Sequence, residues 1–155
     1  MMETLRSILL AEDNPKDVEL TLTALGEHNL ANDVLVVHDG AAALDFLYRR
    51  GQFSGRPAGN PAVFLLDLKM PKVDGLEVLR QIKSDPELKT IPTVMLTSSR
   101  EEQDLVRSYN FGVNAYVVKP VNFAEFADAV KKLGVFWALI NEPPPHSVRK
   151  DQQKL

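Results

Sequence analysis

The chain has 155 residues, 45% hydrophobic and 25% charged, which predicts one globular domain large enough to bury a full core. Eighteen basic against 21 acidic residues leave a net charge of −3, so nothing in the electrostatics favours nucleic acid, and direct DNA binding is not expected. Cysteine is absent and histidine occurs only at positions 28, 38 and 146, which excludes disulfides, thiolate zinc and thiol catalysis and disfavours a histidine metal site or a Ser-His-Asp triad.

Short, nearly continuous apolar runs at 7–11, 34–38, 62–66, 93–96 and 115–118 read as strands buried on both faces of a parallel sheet. Helical periodicity follows each of them. Asn14-Pro15 is a cap and first-turn pair ahead of Val18, Leu22 and Leu25. His38-Asp39-Gly40 reads as a turn, and Leu44 and Leu47 mark the helix after it. The 51–61 segment is rich in glycine and proline and reads as a long surface loop. Val78, Leu79 and Ile82 mark a helix after Asp74-Gly75, and Leu105, Val106 and Tyr109 mark the next. Phe126, Val130, Leu133 and Trp137 recur at i, i+4, i+7 and i+11 and mark a final helix of about twenty residues. Residues 1–140 are therefore expected to form one domain, and the proline-rich 141–155 segment a disordered tail. No run reaches the ~18 apolar residues of a membrane span, and no signal peptide is visible, so a cytoplasmic location is expected.

Five strand–helix units predict an α/β fold, a doubly wound five-stranded parallel sheet with helices on both faces. In such folds the functional crevice lies beyond the carboxyl ends of the strands. Glu12 and Asp13 follow the first strand, Asp67 the third, Thr97, Ser98 and Ser99 the fourth, and Lys119 with Pro120 the fifth. Each has an ordinary reading. The acidic pair suits a turn or cap, Asp67 could cap the turn at Lys69-Met70-Pro71, Thr97 could cap a helix, and Lys119 could be a surface lysine. Their meeting on one sheet edge is harder to attribute to chance. If the first and third strands are neighbours, three carboxylates repel one another and call for a cation or raised pKa values. Oxygen ligands without His or Cys favour Mg²⁺ or Ca²⁺, and a small shared cluster that leaves waters in place favours Mg²⁺. A metal there invites phosphate, with Asp67 as carboxylate nucleophile and Lys119 and Thr97 as its partners.

These residues carry a resemblance. Residues 10–14 (Leu-Ala-Glu-Asp-Asn), 65–71 (Leu-Leu-Asp-Leu-Lys-Met-Pro) with Asp74-Gly75, 95–98 (Met-Leu-Thr-Ser) and 116–120 (Tyr-Val-Val-Lys-Pro) stand in the order and at the spacing of a known family. The chain resembles the receiver domain of two-component response regulators over about Ser7 to Ile140. The resemblance implies a (βα)5 flavodoxin-like fold, with Asp67 accepting a phosphoryl group from a partner histidine kinase. It implies a Mg²⁺ ion held by Asp13 and Asp67, by Glu12 largely through water, and by the main-chain carbonyl of Lys69. Thr97 and Tyr116 would be the switch pair, Lys119 would pair with the phosphoryl group, and the bond to Pro120 would be cis. Ser98 would leave access to the acyl phosphate, and Lys69 and Ser99 would tune its lifetime. The output surface would be the face built by the fourth helix, fifth strand and fifth helix.

Only 35 residues follow Pro120, so no helix-turn-helix module is expected beside the domain. The 51–61 loop, the 84–92 segment and Val135-Phe136-Trp137 are similar to those of single-domain regulators paired with bacterial phytochrome-type histidine kinases. The apolar stripe Phe126, Val130, Leu133, Phe136, Trp137 and Ile140 fits either a long, well-packed last helix or an isologous homodimer contact. A scaffold receiver that signals by binding alone is an alternative, although every site residue is present. An aspartate-nucleophile Mg²⁺ phosphatase would need an acid two residues after Asp67, where Lys69 stands. A nucleotide or flavin binder would need a glycine-rich phosphate loop, and none follows a strand.

Overall fold

A computed structural model describes residues 8–113 and 115–139. Its five strands are β1 (Ile8–Ala11), β2 (Val34–Val37), β3 (Val63–Asp67), β4 (Thr93–Thr97) and β5 (Ala115–Val118). All pair in parallel in the order β2-β1-β3-β4-β5. The helices are α1 (Pro15–Gly26), α2 (Gly40–Tyr48), α3 (Gly75–Lys83), α4 (Arg100–Ser108), α5 (Phe123–Lys132) and the single turn α6 (Phe136–Leu139). None is long and apolar enough to cross a membrane.

Successive strand residues point to opposite faces, so the apolar runs feed two cores. Leu9, Phe64, Leu66 and Met95 pack with Leu44 and Leu47 of α2, Val78, Leu79 and Ile82 of α3 and Val106 of α4. Ile8, Leu65, Val94, Leu96 and Val117 pack with Ala24 and Leu25 of α1 and Phe126, Ala129 and Val130 of α5. The fold expected from the sequence is the fold observed.

Each of the five main helices begins on a side-chain cap immediately past a strand or its short loop. Asn14 accepts from the N–H groups of Lys16 and Asp17, Asp39 from Ala42, Asp74 from Glu77, Ser99 from Glu102 and Asn122 from Glu125. Asp39 is thus a cap inside the expected turn. The caps keep the connections short, which holds the residues at the strand ends in place.

The 51–61 loop is pinned by Arg56, a role its composition does not reveal. Its guanidinium donates to the carbonyls of Phe46 (2.6 Å), Pro57 (2.7 Å), Gly59 (2.9 Å) and Leu47 (3.4 Å) and lies 4.3 Å from the centre of the Phe46 ring. Two of those carbonyls belong to the last turn of α2, where Phe46 O also accepts the Arg49 N–H at 3.2 Å.

The end of the chain differs from the expected single helix of about twenty residues. α5 stops at Lys132, because Gly134 adopts φ 75°. The Gly134 N–H donates to Lys131 O (3.0 Å) and the Val135 N–H to Val130 O (3.2 Å), a glycine-dependent stop that turns the chain out of the helix. The stripe is therefore broken between Leu133 and Trp137. Phe126 and Val130 are buried in the core, so neither is available as a dimer face. Leu133 and Phe136 are partly buried against that core. The Trp137 side chain and Ile140, together with the 141–155 segment, lie outside the described residues.

Candidate functional site

Register brings the polar residues together. Asp67 closes β3 and Thr97 closes β4, each still inside its strand rather than one step past it. Asp67 pairs with Leu96, which places Thr97 one residue further along the neighbouring strand. The Lys119 N–H donates to the Thr97 carbonyl at 2.8 Å, so the residue after β5 is carried to the same edge. The Lys119–Pro120 bond is cis. On the other side of β3, Glu12 follows β1 directly and its N–H donates to Val37 O at 3.0 Å. Gly75 seats the start of α3 against this edge, its N–H 2.8 Å from Leu68 O, and a Cβ there would collide with the backbone of Asp67 and Leu68.

Carboxylate oxygens of Glu12, Asp13 and Asp67 lie within 4.8 Å of one another. Glu12 is fully buried, Asp67 nearly so, and Asp13 is exposed. Lys119 answers the charge. Its ammonium sits 3.0 Å from Asp67 Oδ1, 3.3 Å from Glu12 Oε1 and 3.2 Å from Asp17 Oδ2. Burial pulls this lysine down, but hydrogen bonding and charge from Asp67, followed by Glu12 and Asp17, outweigh it and hold the ammonium above its ordinary value. One ammonium does not offset four carboxylates. Burial, then the hydrogen bond and charge of Asp67, push Glu12 up from 4.5 to about 7, against the opposing pull of Lys119.

That excess of buried negative charge is what a divalent cation relieves. An all-oxygen donor set with one exposed member suits a small hard ion that keeps some of its water. The cluster therefore fits the divalent ion expected from the sequence.

Thr97 completes the edge. Its hydroxyl is wholly buried and, among the described residues, has no hydrogen-bond partner. Buried hydroxyls are normally satisfied, and one left without a partner carries a free-energy penalty. Tyr116, on β5, is half-buried. Its hydroxyl donates to Val113 O at 3.1 Å, and the Arg107 guanidinium lies 4.7 Å from its ring centre.

Two residues at this edge escaped the sequence reading. Asp17 is the third ligand of the Lys119 ammonium, and the only hint was its place one turn after Asp13 on a helix whose cap was recognised. Glu102 accepts the Ser98 N–H at 2.7 Å and pairs with the Lys69 ammonium at 3.2 Å. Ser99-x-x-Glu102 is a capping-box pattern, so its signal was present in the sequence. Lys69 itself stands two residues past Asp67 with a largely exposed side chain.

The arrangement has counterparts among known proteins. Residues 8–131 match the model of the response regulator receiver domain. The chain is similar to the solved bacteriophytochrome response regulators AtBRR (64% identity, TM-score 0.83, covering 90% of this chain and 100% of that one) and RtBRR (61%, TM-score 0.82, 93% and 87%). It is 39% identical over 130 residues to the response regulator Rcp1 of Synechocystis sp., covering 84% of this chain and 87% of that protein. Rcp1 also has a solved Mn²⁺-bound form that aligns with a TM-score of 0.67. With a parallel sheet in the order β2-β1-β3-β4-β5, an acidic cluster at its carboxyl edge and a match running from β1 through most of α5, the chain belongs to the response regulator receiver domain family.

Proposed function

We propose that this protein is a response regulator that accepts a phosphoryl group on Asp67 from a partner histidine kinase of the phytochrome type, in a Mg²⁺-dependent reaction. The observation that carries the reading is Asp67 itself. Its carboxylate lies inside the three-acid cluster, 3.0 Å from the Lys119 ammonium and one strand from the partnerless Thr97 hydroxyl. The similarity to two bacteriophytochrome response regulators above 60% identity supports the class of kinase.

An Asp67 oxygen forms a bond to phosphorus as the bond from phosphorus to the donor's histidine nitrogen breaks. The electron pair stays on that imidazole, and Asp67 becomes an acyl phosphate. Asp13 and Asp67, with Glu12 through water and the main-chain carbonyl of Lys69, would hold a Mg²⁺ ion, which when bound would supply charge neutralisation for the phosphoryl oxygens. Lys119 already has Asp67 as a partner and follows the new charge without leaving its place. The product carries about −1.5 to −2 charges and three acceptor oxygens, which give the Thr97 hydroxyl the acceptor it lacks. Movement of Thr97 frees the space that Tyr116 takes up. The signal leaves through the face of α4, β5 and α5, where Leu105 is 46% and Tyr109 53% exposed. No outside substrate is turned over: the chain catalyses only its own phosphorylation and dephosphorylation.

The test is incubation with a small phosphodonor and Mg²⁺, read by intact mass on the wild type and Asp67→Asn. One added phosphoryl group on the wild type and none on the variant is expected. A wild type that stays unmodified overturns the reading. Transfer from a phytochrome-type kinase, compared with an unrelated histidine kinase, tests the partner.

A further inference from the structure

A capping box aims the carboxylate of its fourth residue at the N–H of its first. Here that would join Glu102 to the Ser99 N–H. Instead Glu102 Oε1 takes the Ser98 N–H, one residue closer to Thr97, at 2.7 Å. Its other oxygen holds the Lys69 ammonium at 3.2 Å. Ser98 follows Thr97 on the β4–α4 connection, and Lys69 follows Asp67 by two on the β3–α3 connection. One carboxylate thus ties together the two loops that flank the phosphoacceptor. The Glu102 side chain is only 14% exposed, whereas that of Lys69 is 80% exposed.

We propose that Glu102 is a positioning residue that latches the two loops in their unphosphorylated arrangement, occupying donors that a phosphoryl group on Asp67 would otherwise draw on. The inference rests on the phosphoacceptor reading and extends it to regulation of the same site. A phosphoryl dianion and the Glu102 carboxylate both need N–H and ammonium donors, and they repel each other. The Lys69 arm is an exposed ion pair, which contributes little and breaks readily. The Ser98 arm is a charge-assisted hydrogen bond from the backbone and carries most of the hold. A ligand shifts such a balance only by its different affinity for the two arrangements, so removing the latch makes the phosphoryl-bound arrangement easier to reach.

The experiment uses the full chain and beryllofluoride, a phosphoryl mimic that binds carboxylates, titrated calorimetrically in Mg²⁺. Glu102→Ala is expected to tighten beryllofluoride binding by about three- to tenfold, the range for one released hydrogen bond. Glu102→Gln keeps an acceptor for the Ser98 N–H but loses the charge, and should fall between the wild type and Glu102→Ala. Mg²⁺ alone is titrated in parallel, because general loosening of the loops would weaken both ligands together, opposite in sign to release of a latch. Beryllofluoride binding by Glu102→Ala that is unchanged or weaker overturns the latch. A wild type that binds Mg²⁺ but no beryllofluoride overturns the phosphoacceptor reading, and the latch with it.

Discussion

Replacing Glu12 by Gln should stabilise the protein and weaken its metal site at the same time. Glu12 is fully buried, and burial, then Asp67, raises its carboxyl from 4.5 to about 7. As pH climbs through about 4.5, the unfolded chain releases this proton while the folded chain keeps it until about 7. The folded state therefore binds more protons across that window, and metal-free stability falls as pH rises through it and is flat above. The full displacement corresponds to roughly 3 kcal/mol. That figure already contains the pull of Lys119 at 3.3 Å; burying an amide in place of the carboxyl costs part of it, so the expected net gain is about 1–2 kcal/mol at about pH 8. Near pH 5 the wild-type carboxyl is already mostly protonated and the two proteins should be alike. Mg²⁺ should reverse the order, because it displaces the proton that Gln can neither hold nor release. Wild-type Mg²⁺ affinity should climb as pH rises through about 7, and that of Glu12→Gln should be weaker and flat. Urea denaturation in chelator and in Mg²⁺, at both pH values, measures all of this. A metal-free variant less stable than the wild type at about pH 8 would refute the reasoning, since the contact with Lys119 would then outweigh the strain among the acids.

Thr97→Val keeps the shape of a buried residue and removes a hydroxyl that lacks a partner, so the resting protein should be equally stable or up to about 1–2 kcal/mol more stable. The same variant should lose the spectral change that beryllofluoride induces at Tyr116, which amide and aromatic NMR would detect. Gly75→Ala forces a methyl group into the backbone of Asp67 and Leu68, and should cost about 1–3 kcal/mol in urea denaturation and slow phosphorylation by a small phosphodonor. Arg56→Ala removes four hydrogen bonds to carbonyls and should cost about 1.5–3 kcal/mol, with proteolysis appearing first in the 51–61 loop. Thermal unfolding and limited proteolysis together separate that loss from damage at the acidic edge of the sheet.

The site was legible because each of its residues stands at the end of an apolar run, and the end of a buried strand is a defined place in an open α/β sheet. The adjacency of Asp67 and Thr97 came from the pairing of β3 with β4, which the sequence reading did not supply. Asp17 and Glu102 were not found, since each lies on a helix and reaches the site only through the direction of its side chain. The final helix shows a different failure. Its apolar spacing ran straight across Gly134, and periodicity alone does not report that one residue has left helical φ. A glycine followed by an apolar residue was the available stop signal.

By itself the sequence determined the order of the strands and main helices, the two-sided burial of the strands and the residue types that stand at the sheet's carboxyl edge, because these follow from local pattern and from residue type. The charge balance within that site was a tertiary matter. The number of carboxylates sharing one ammonium, the burial that pushes Glu12 to about 7, and the absence of a partner for the Thr97 hydroxyl all depend on distances between segments far apart in the chain. So does the core position of Phe126 and Val130, which a helical stripe cannot distinguish from an interface, because the same apolar face suits either surface until the sheet occupies it.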